Sequence, residues 1–318
     1  MLKDEILAFL DDQSYISGAW IASRLGVSRA AIAKAVKALR MDGYAIDAIP
    51  NRGYRLKQMP DLLHASAIQA LLDAHPWRER IRVYAMLDST NLELKREAVS
   101  GAPAGSVAIA EQQTAGRGRL GRSFLSRPGV GIYLSLLLRP QCAPAELLTL
   151  TAQAAVAVRR AIHTVCGVDA DIKWVNDLLI GRKKICGILT ELSVEAESGR
   201  VSYAVVGVGV NCNQAAEDFP PELQEIAGSI YSQTGVRVDR NRLAAEMIRQ
   251  LSLLPQLDWR AEYRKACVTV GREIVLLRGD TRQEATALDV GTQAELLVRY
   301  PDGTEGSVNS GEISVRGL

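Results

Sequence analysis

Histidine is nearly missing from this chain: His64, His75 and His163 are the three in 318 residues, and they lie far apart. That scatter excludes a histidine-rich metal site, and no resident metal is expected. Cysteine is sparse as well. The five present (Cys142, Cys166, Cys186, Cys212, Cys267) are odd in number and form no Cys-x-x-Cys pair, which argues against a disulfide framework and fits a reducing cytoplasm. No apolar run approaches the roughly 18 residues that a spanning helix needs, so no membrane partner is expected. The opening stretch carries Asp4, Glu5, Asp11 and Asp12, the wrong charge for a signal peptide, and a cytoplasmic location is expected. Excess charge is absent too: a net +2 leaves any charged partner to be sought in local clusters. There is no internal repeat and no low-complexity segment. What remains, 47% hydrophobic and 23% charged residues, is ordinary for a globular protein, and the length suggests two domains with room for a small third.

Residues 1–60 read as a small helical module. Leu2, Ile6, Phe9 and Leu10 give one apolar face. Ser17 caps a second helix that runs to Gly26, and Ser28 caps a third, "RAAIAKAVKALRMDG", expected to stop at Gly43. Ile32, Val36 and Leu39 share one face of that third helix. Arg29, Lys34, Lys37 and Arg40 give it four positive charges, and no acid lies between Ser28 and Met41. This is a helix-turn-helix (18–37) with a basic recognition helix. "YAIDAIPNRGYRL" (44–56) then reads as the hairpin wing of a winged helix, with Arg52 and Arg55 on it. DNA contacts are expected from Ser28, Arg29, Lys34, Lys37 and Arg52.

"MPDLLHAS" (59–66) is a candidate hinge. From 67 to 267 strands and helices alternate irregularly: strands at 81–87, 106–113, 131–139, 171–175, 178–181, 185–194 and 201–210, with helices at 90–99, a long one with Pro144 in its first turn, and others at 221–227 and at 240–266, the last interrupted at Pro255. Adjacent strands joined by short turns imply an α+β domain, a mixed sheet with helices on one face. From 268 to 318 the pattern is short strands and turns, read as a small SH3-like barrel.

"GRGRLGRS" (116–123) has the glycine spacing of a phosphate-binding P-loop, with Arg122 where the lysine belongs. A P-loop needs a helix to begin at its end. Here Pro128, Gly129 and Gly131 follow, so the P-loop reading fails. An anion-binding role survives, because Arg117, Arg119, Arg122 and Arg127 lie in a run from Gln112 to Ala145 with no acidic residue. Glycine lets backbone approach a ligand closely.

Three more motifs surround this loop: "DSTN" (88–91) at a strand end, "KWVND" (173–177), and "GRKKICGIL" (181–189), which puts Lys184 at a strand mouth. In this order and spacing, together with "EQQTAGRGRLGR", "GVGVNCN" (207–213) and "DRNRLAAEMIRQL" (239–251), they resemble the biotin–protein ligases over nearly the whole chain. With its winged helix, the chain resembles their bifunctional form, the biotin operon repressor. Phe124 stands where that family usually has Trp. Val175 stands where it usually has Pro in Lys-Trp-Pro-Asn-Asp.

The resemblance implies ATP-dependent activation of biotin to biotinyl-AMP, with Mg²⁺ on the triphosphate, then transfer of biotin to a lysine of a biotin carboxyl carrier protein. It assigns Lys184, Arg119 and Asp177 to catalysis. It assigns Ser89, Thr90, Asn91, Gln113, Arg117, Gly118, Arg119 and Lys184 to biotin, and Arg119, Arg122, Asn176, Lys184 and Asn211 to the nucleotide. It further implies that the adenylate-bound protein pairs into a homodimer on operator DNA. A lipoate–protein ligase shares the chemistry in kind but is expected to lack the winged helix and this loop. A ligand-sensing repressor with a weak or inactive ligase domain is the non-enzyme alternative.

Overall fold

A computed structural model describes residues 2–41, 44–58, 61–278, 281–309 and 311–315. The chain divides into two compact units, Met1–Leu62 and Leu63–Leu318. In the first, α1 (Leu2–Leu7), α2 (Gly18–Leu25) and α3 (Arg29–Met41) precede a hairpin of β1 (Ala45–Ile49) and β2 (Gly53–Gln58). Ser17 Oγ accepts from Ala19 N at 3.3 Å to start α2. Gly26 ends it in the left-handed region at φ 66°. Ser28 Oγ accepts from Ala31 N at 3.1 Å to start α3. Ile6, Ile21, Ile32, Val36 and Leu39 form the core with Ile46 and Leu56 of the wing. The expected helix stop at Gly43 and the hinge residues Met59 and Pro60 lie outside the described residues.

The second unit contains α4 (Ala65–Leu71), β3 (Ile81–Tyr84), α5 (Thr90–Val99), β4 (Val107–Ala110), β5 (Gly131–Leu138), α6 (Leu150–Cys166), β6 (Asp171–Lys173), β7 (Asp177–Ile180), β8 (Lys183–Val194) and β9 (Val201–Asn211). It continues with α7 (Pro221–Gln224), α8 (Ile230–Thr234), α9 (Arg240–Leu251) and α10 (Arg260–Ala266). The last strands are β10 (Glu273–Arg278), β11 (Thr281–Val290), β12 (Leu296–Arg299), β13 (Glu305–Val308) and β14 (Glu312–Val315). Strands β3 to β9 form one mixed sheet in the order β3-β4-β5-β9-β8-β7-β6, with β3 parallel to β4 and the other pairs antiparallel. The last five strands form an antiparallel sheet in the order β13-β12-β11-β10-β14.

Helices were expected on one face of the mixed sheet, but they cover both. Val107, Ile109, Leu136 and Val206 face α6 and α9, whereas Ala108, Leu137 and Val205 face Leu94 and Ala98 of α5. Every position of β4 and β5 is buried, and such unbroken apolar runs are what two covered faces require. The expected strands 81–87 and 106–113 stop at Tyr84 and Ala110, beyond which only the isolated Leu87–Gln113 bridge joins them. Their ends thereby diverge to carry "DSTN" and the glycine–arginine loop. Pro144 starts a separate short turn, 144–147, and α6 begins afresh at Leu150. The interruption expected at Pro255 within 240–266 is present, with α9 ending at Leu251 and α10 starting at Arg260, since proline removes a donor and clashes with the preceding turn.

One buried ion pair fastens this unit behind the loop. Arg240, fully buried, donates from Nη1 and Nη2 to the two carboxylate oxygens of Glu111 at 3.0 and 3.1 Å, and to the Gly131 carbonyl at 2.8 Å. Glu111 also accepts from the backbone N–H of Gly129 at 3.0 Å and from that of Leu63. Four segments meet on two side chains.

Candidate active site

The four motifs converge at one end of the mixed sheet. The apolar strand β8 carries Lys184 near its start, and Lys184 Nζ lies 2.7 Å from Asp177 Oδ1 on β7. That oxygen is buried, and the Lys184 ammonium is the group that offsets its charge. Asn176 is fixed by Ile188, donating Nδ2 to its carbonyl at 3.1 Å and accepting its N–H at 3.0 Å. Trp174 anchors the motif from beneath, its indole N–H donating to Ala294 O at 2.8 Å and its backbone N–H to Thr269 Oγ1 at 3.1 Å. The Trp174–Val175 peptide bond, at the departure from the usual motif, is cis.

The glycine–arginine loop crosses this cluster. Arg117 and Arg122 are exposed. Arg119 is not: its Nη1 donates to Asn176 Oδ1 at 2.9 Å and its Nη2 to the Gly311 carbonyl at 3.0 Å, so it ties the loop to the C-terminal sheet. Leu120 sits at φ 55°, a left-handed conformation rare for leucine, at the loop's tip. Phe124 folds back onto Gly209, where an added Cβ would come within 2.5 Å of its ring. It also meets Tyr133 edge-on at 6.3 Å. The glycine of "GVGV" therefore makes room for an aromatic ring.

Ser89, Thr90 and Asn91 are buried at the start of α5. Ser89 does not cap the helix with its side chain. Gln113, from the loop, does so instead: its Oε1 accepts from Thr90 N at 2.8 Å, while Nε2 donates to Ser126 Oγ at 2.9 Å. Asn91 donates to Glu191 Oε2 at 2.8 Å and accepts from Ser135 Oγ at 2.6 Å. Asn211 holds the far wall, with Nδ2 on the Gly228 carbonyl at 2.9 Å and Oδ1 accepting from Gln214 at 3.3 Å.

Two cavities meet here. The smaller, about 50 Å³, is bounded by Thr90, Asn91, Gln113, Arg117, Gly118 and the glycines of β9. The larger, about 610 Å³, is bounded by Arg122, Asp177, Asn211 and the 219–227 segment. Lys184 and Phe124 line both. Sequence reasoning passed over Lys173, Arg182, Lys183 and Ile226 of the larger cavity, and Ser135 and Glu191 behind the smaller one. A lone serine in the apolar run "GIYLSLLL" was the available signal for Ser135. Among the described residues no cluster of three or more His, Cys, Asp or Glu can hold a metal ion. In the first unit Ser28, Arg29, Lys34, Lys37 and Arg52 are exposed, whereas Arg40 donates to the Ile46 carbonyl at 2.8 Å and so braces the wing.

Residues 83–211 match the biotin/lipoate A/B protein ligase family and residues 3–55 match an HTH domain. The bifunctional ligase/repressor BirA of Escherichia coli is 30% identical over 319 residues, covering 98% of this chain and 96% of that protein. The chain belongs to the BirA family of bifunctional ligase/repressors. The BirA of Bacillus spizizenii is 41% identical over 239 residues, 75% of this chain and 73% of that one. Among solved structures, the biotin protein ligase from Aquifex aeolicus in complex with biotin and ATP matches with a TM-score of 0.62 and 28% identity, over 74% of this chain and 98% of that chain. No described helix is long and apolar enough to cross a membrane.

Proposed function

We propose that this chain activates biotin with ATP to biotinyl-AMP and pyrophosphate, passes the biotinyl group to a lysine of a carrier protein, and binds operator DNA as an adenylate-loaded homodimer. The observation that carries the reading is Lys184, which lines the small cavity and the large one at once. Biotin's carboxylate must reach the α-phosphate of ATP, and two anions repel. A fixed ammonium at the junction of their two sites stabilises the charge that builds as they meet. The small cavity, ringed by Thr90, Asn91 and Gln113, takes the neutral ureido ring. The large one, with Arg122, Asn211 and a wall of Leu223, Ile226 and Ala227, takes the nucleotide.

The residues fit Mg²⁺ only as a passenger on the triphosphate. Mg²⁺ keeps several waters and needs one or two carboxylates plus phosphate oxygens. Asp177, which lines the large cavity, is the carboxylate that would hold it. When bound, the ion neutralises phosphate charge. In the second step the acceptor lysine attacks the mixed-anhydride carbonyl as a free amine, its proton passes to a base beside that carbonyl, and AMP leaves. Asp177 is the base this reading assigns, and its contact with Lys184, which would stabilise the departing phosphate, supports the assignment.

Location in the cytoplasm fits all five cysteines being free. Dimerisation has a surface to use: β8 pairs with β7 only through Gly187, so its 188–194 stretch has a strand on one side alone among the described residues. The test is isotope exchange between pyrophosphate and ATP. Exchange that requires biotin supports the reading. Exchange that requires lipoate, or none with either acid, overturns it.

A further inference from the structure

We propose that Tyr15, which lies outside every motif, is a positioning residue that holds Arg52 and Arg55 as a site for a phosphate of the DNA backbone. The inference deepens the operator-binding reading and rests on it. The chain just before α2 adds a third strand to the wing: Ile16 and Tyr54 exchange backbone hydrogen bonds at 2.8 and 2.9 Å. Gly53 permits this approach, because a Cβ there would lie 2.0 Å from the Ile16 carbonyl oxygen. Alternate residues of a strand face opposite sides. Ile16, Ile46 and Leu56 pack into the core, so their neighbours Tyr15, Asp47 and Arg55 form one row across the outer face.

The Tyr15 hydroxyl donates to Asp47 Oδ2 at 2.6 Å, which pins the ring. Over that ring lie two guanidiniums, Arg55 with Cζ 4.6 Å from its centroid and Arg52 at 5.2 Å. Neither has a good acceptor in the protein. Asp47 is shared with Lys57 at 3.4 Å, and Arg55 reaches it only at 3.6 Å, beyond hydrogen-bond range, while the buried Arg55 Nε makes no hydrogen bond. Arg52, exposed in the wing turn, has no side-chain hydrogen bond or ion pair among the described residues. Asp11 and Asp12, earlier in the same segment, are engaged locally: Asp11 Oδ1 accepts from the backbone N–H groups of Gln13 and Ser14, and Asp12 Oδ1 accepts from Gln13 Nε2. Two like charges on one ring repel, and the electron-rich face of the ring offsets that only in part. The pair borders a cavity of about 610 Å³, bounded also by Gln13, Ser14 and Ile49. A phosphodiester entering it would accept from both guanidiniums, whose planar N–H forks match phosphate oxygens. The helix-turn-helix match over 3–55 includes all three residues, and a duplex presents such phosphates to that motif.

The experiment measures binding of the full chain to a short mixed-sequence DNA duplex at several salt concentrations, because phosphate contacts carry no sequence information. Wild type, Tyr15→Phe and Tyr15→Leu are compared, each also in a background with Arg52→Ala and Arg55→Ala together. Tyr15→Leu should weaken binding about five- to thirtyfold at fixed salt, the range for two exposed cation–π contacts, while Tyr15→Phe keeps the ring and stays within about threefold. Removing both arginines should lower the salt slope by about two. In that background Tyr15→Leu should change affinity by less than about twofold. A wild type with no salt-dependent binding defeats the DNA-binding reading itself. A binding wild type whose salt slope survives the loss of both arginines overturns the phosphate site. Tyr15→Leu that binds like wild type, or Tyr15→Phe that binds as weakly as Tyr15→Leu, overturns the role of the ring. Equal losses from Tyr15→Leu with and without the arginines overturn it too, because Tyr15 then merely supports the fold.

Discussion

At the residue scale, two ion pairs of similar geometry serve opposite ends. Lys184 and Asp177 are partly exposed at the mouth of a cavity, where little packing depends on them. Lys184→Ala should leave the unfolding midpoint almost unchanged and reduce adenylation about 10²- to 10³-fold, the cost of one preorganised charge-stabilising group. Pyrophosphate exchange and thermal unfolding on the same sample check both halves. Glu111 and Arg240 are sealed in. Glu111→Ala strands a guanidinium with no solvent and also unties Leu63 and Gly129, so it should cost about 3–5 kcal/mol, read from the urea midpoint. The site lysine was legible in the sequence because its neighbours recur as a motif. The structural pair was not. Glu111 and Arg240 stand 129 residues apart, and no local pattern says that two polar residues in two polar runs will meet inside the fold.

At the element scale, what the sequence made legible followed periodicity, and what it hid followed tertiary contact. The helix-turn-helix was plain from Ser17, Gly26 and Ser28, because caps are local chemistry. The second covered face of the sheet was hidden, because whether an apolar run is buried on one side or two depends on where α5 folds back. The glycine–arginine loop fell between these cases. Its charges predicted an anion partner, yet Arg119 is engaged by an amide and a carbonyl of the protein itself. Phe124 leans over Gly209, and the space left beside Thr90 is about 50 Å³, far below the roughly 300 Å³ of a typical small-molecule site. We propose that the loop swings out to admit biotin and recloses over it. Trypsin should cut at the exposed Arg117 or Arg122, and biotin with ATP should slow that cleavage at least several-fold, while leaving cleavage in the first unit unchanged. Mass spectrometry of the fragments distinguishes the sites.

At the scale of the whole molecule, the division after Leu62 separates two chemistries. We propose residues 1–60 as the DNA-binding part, 67–267 as the catalytic part and 268–318 as the C-terminal part that receives Arg119. A chain beginning at Leu63 keeps Glu111, Arg240 and every residue around Lys184, so it should retain adenylation and lose operator binding. We propose that the two parts are coupled through the loop. Ordering its residues costs about 1–2 kcal/mol each before contacts form, and biotinyl-AMP brings a phosphate and an acyl chain together to offset that cost where biotin alone offers less. Arg117 and Gly118 of the loop line the small cavity with Asn91, which donates to Glu191 on the stretch of β8 that lacks a second strand among the described residues. On this proposal adenylate binding stiffens the edge on which two chains would pair. A dimer presents two copies of α3 to one operator, and effective concentration multiplies their affinity. Each Lys or Arg contact to phosphate adds about one to the salt slope, so roughly four to six contacts per winged helix make the dimer's binding fall steeply with salt. Operator affinity should therefore rise by at least about tenfold with biotin plus ATP, and sedimentation should show the dimer under the same conditions. Adenylate that protects the loop from trypsin yet changes neither dimerisation nor operator affinity would show that the loop serves catalysis alone.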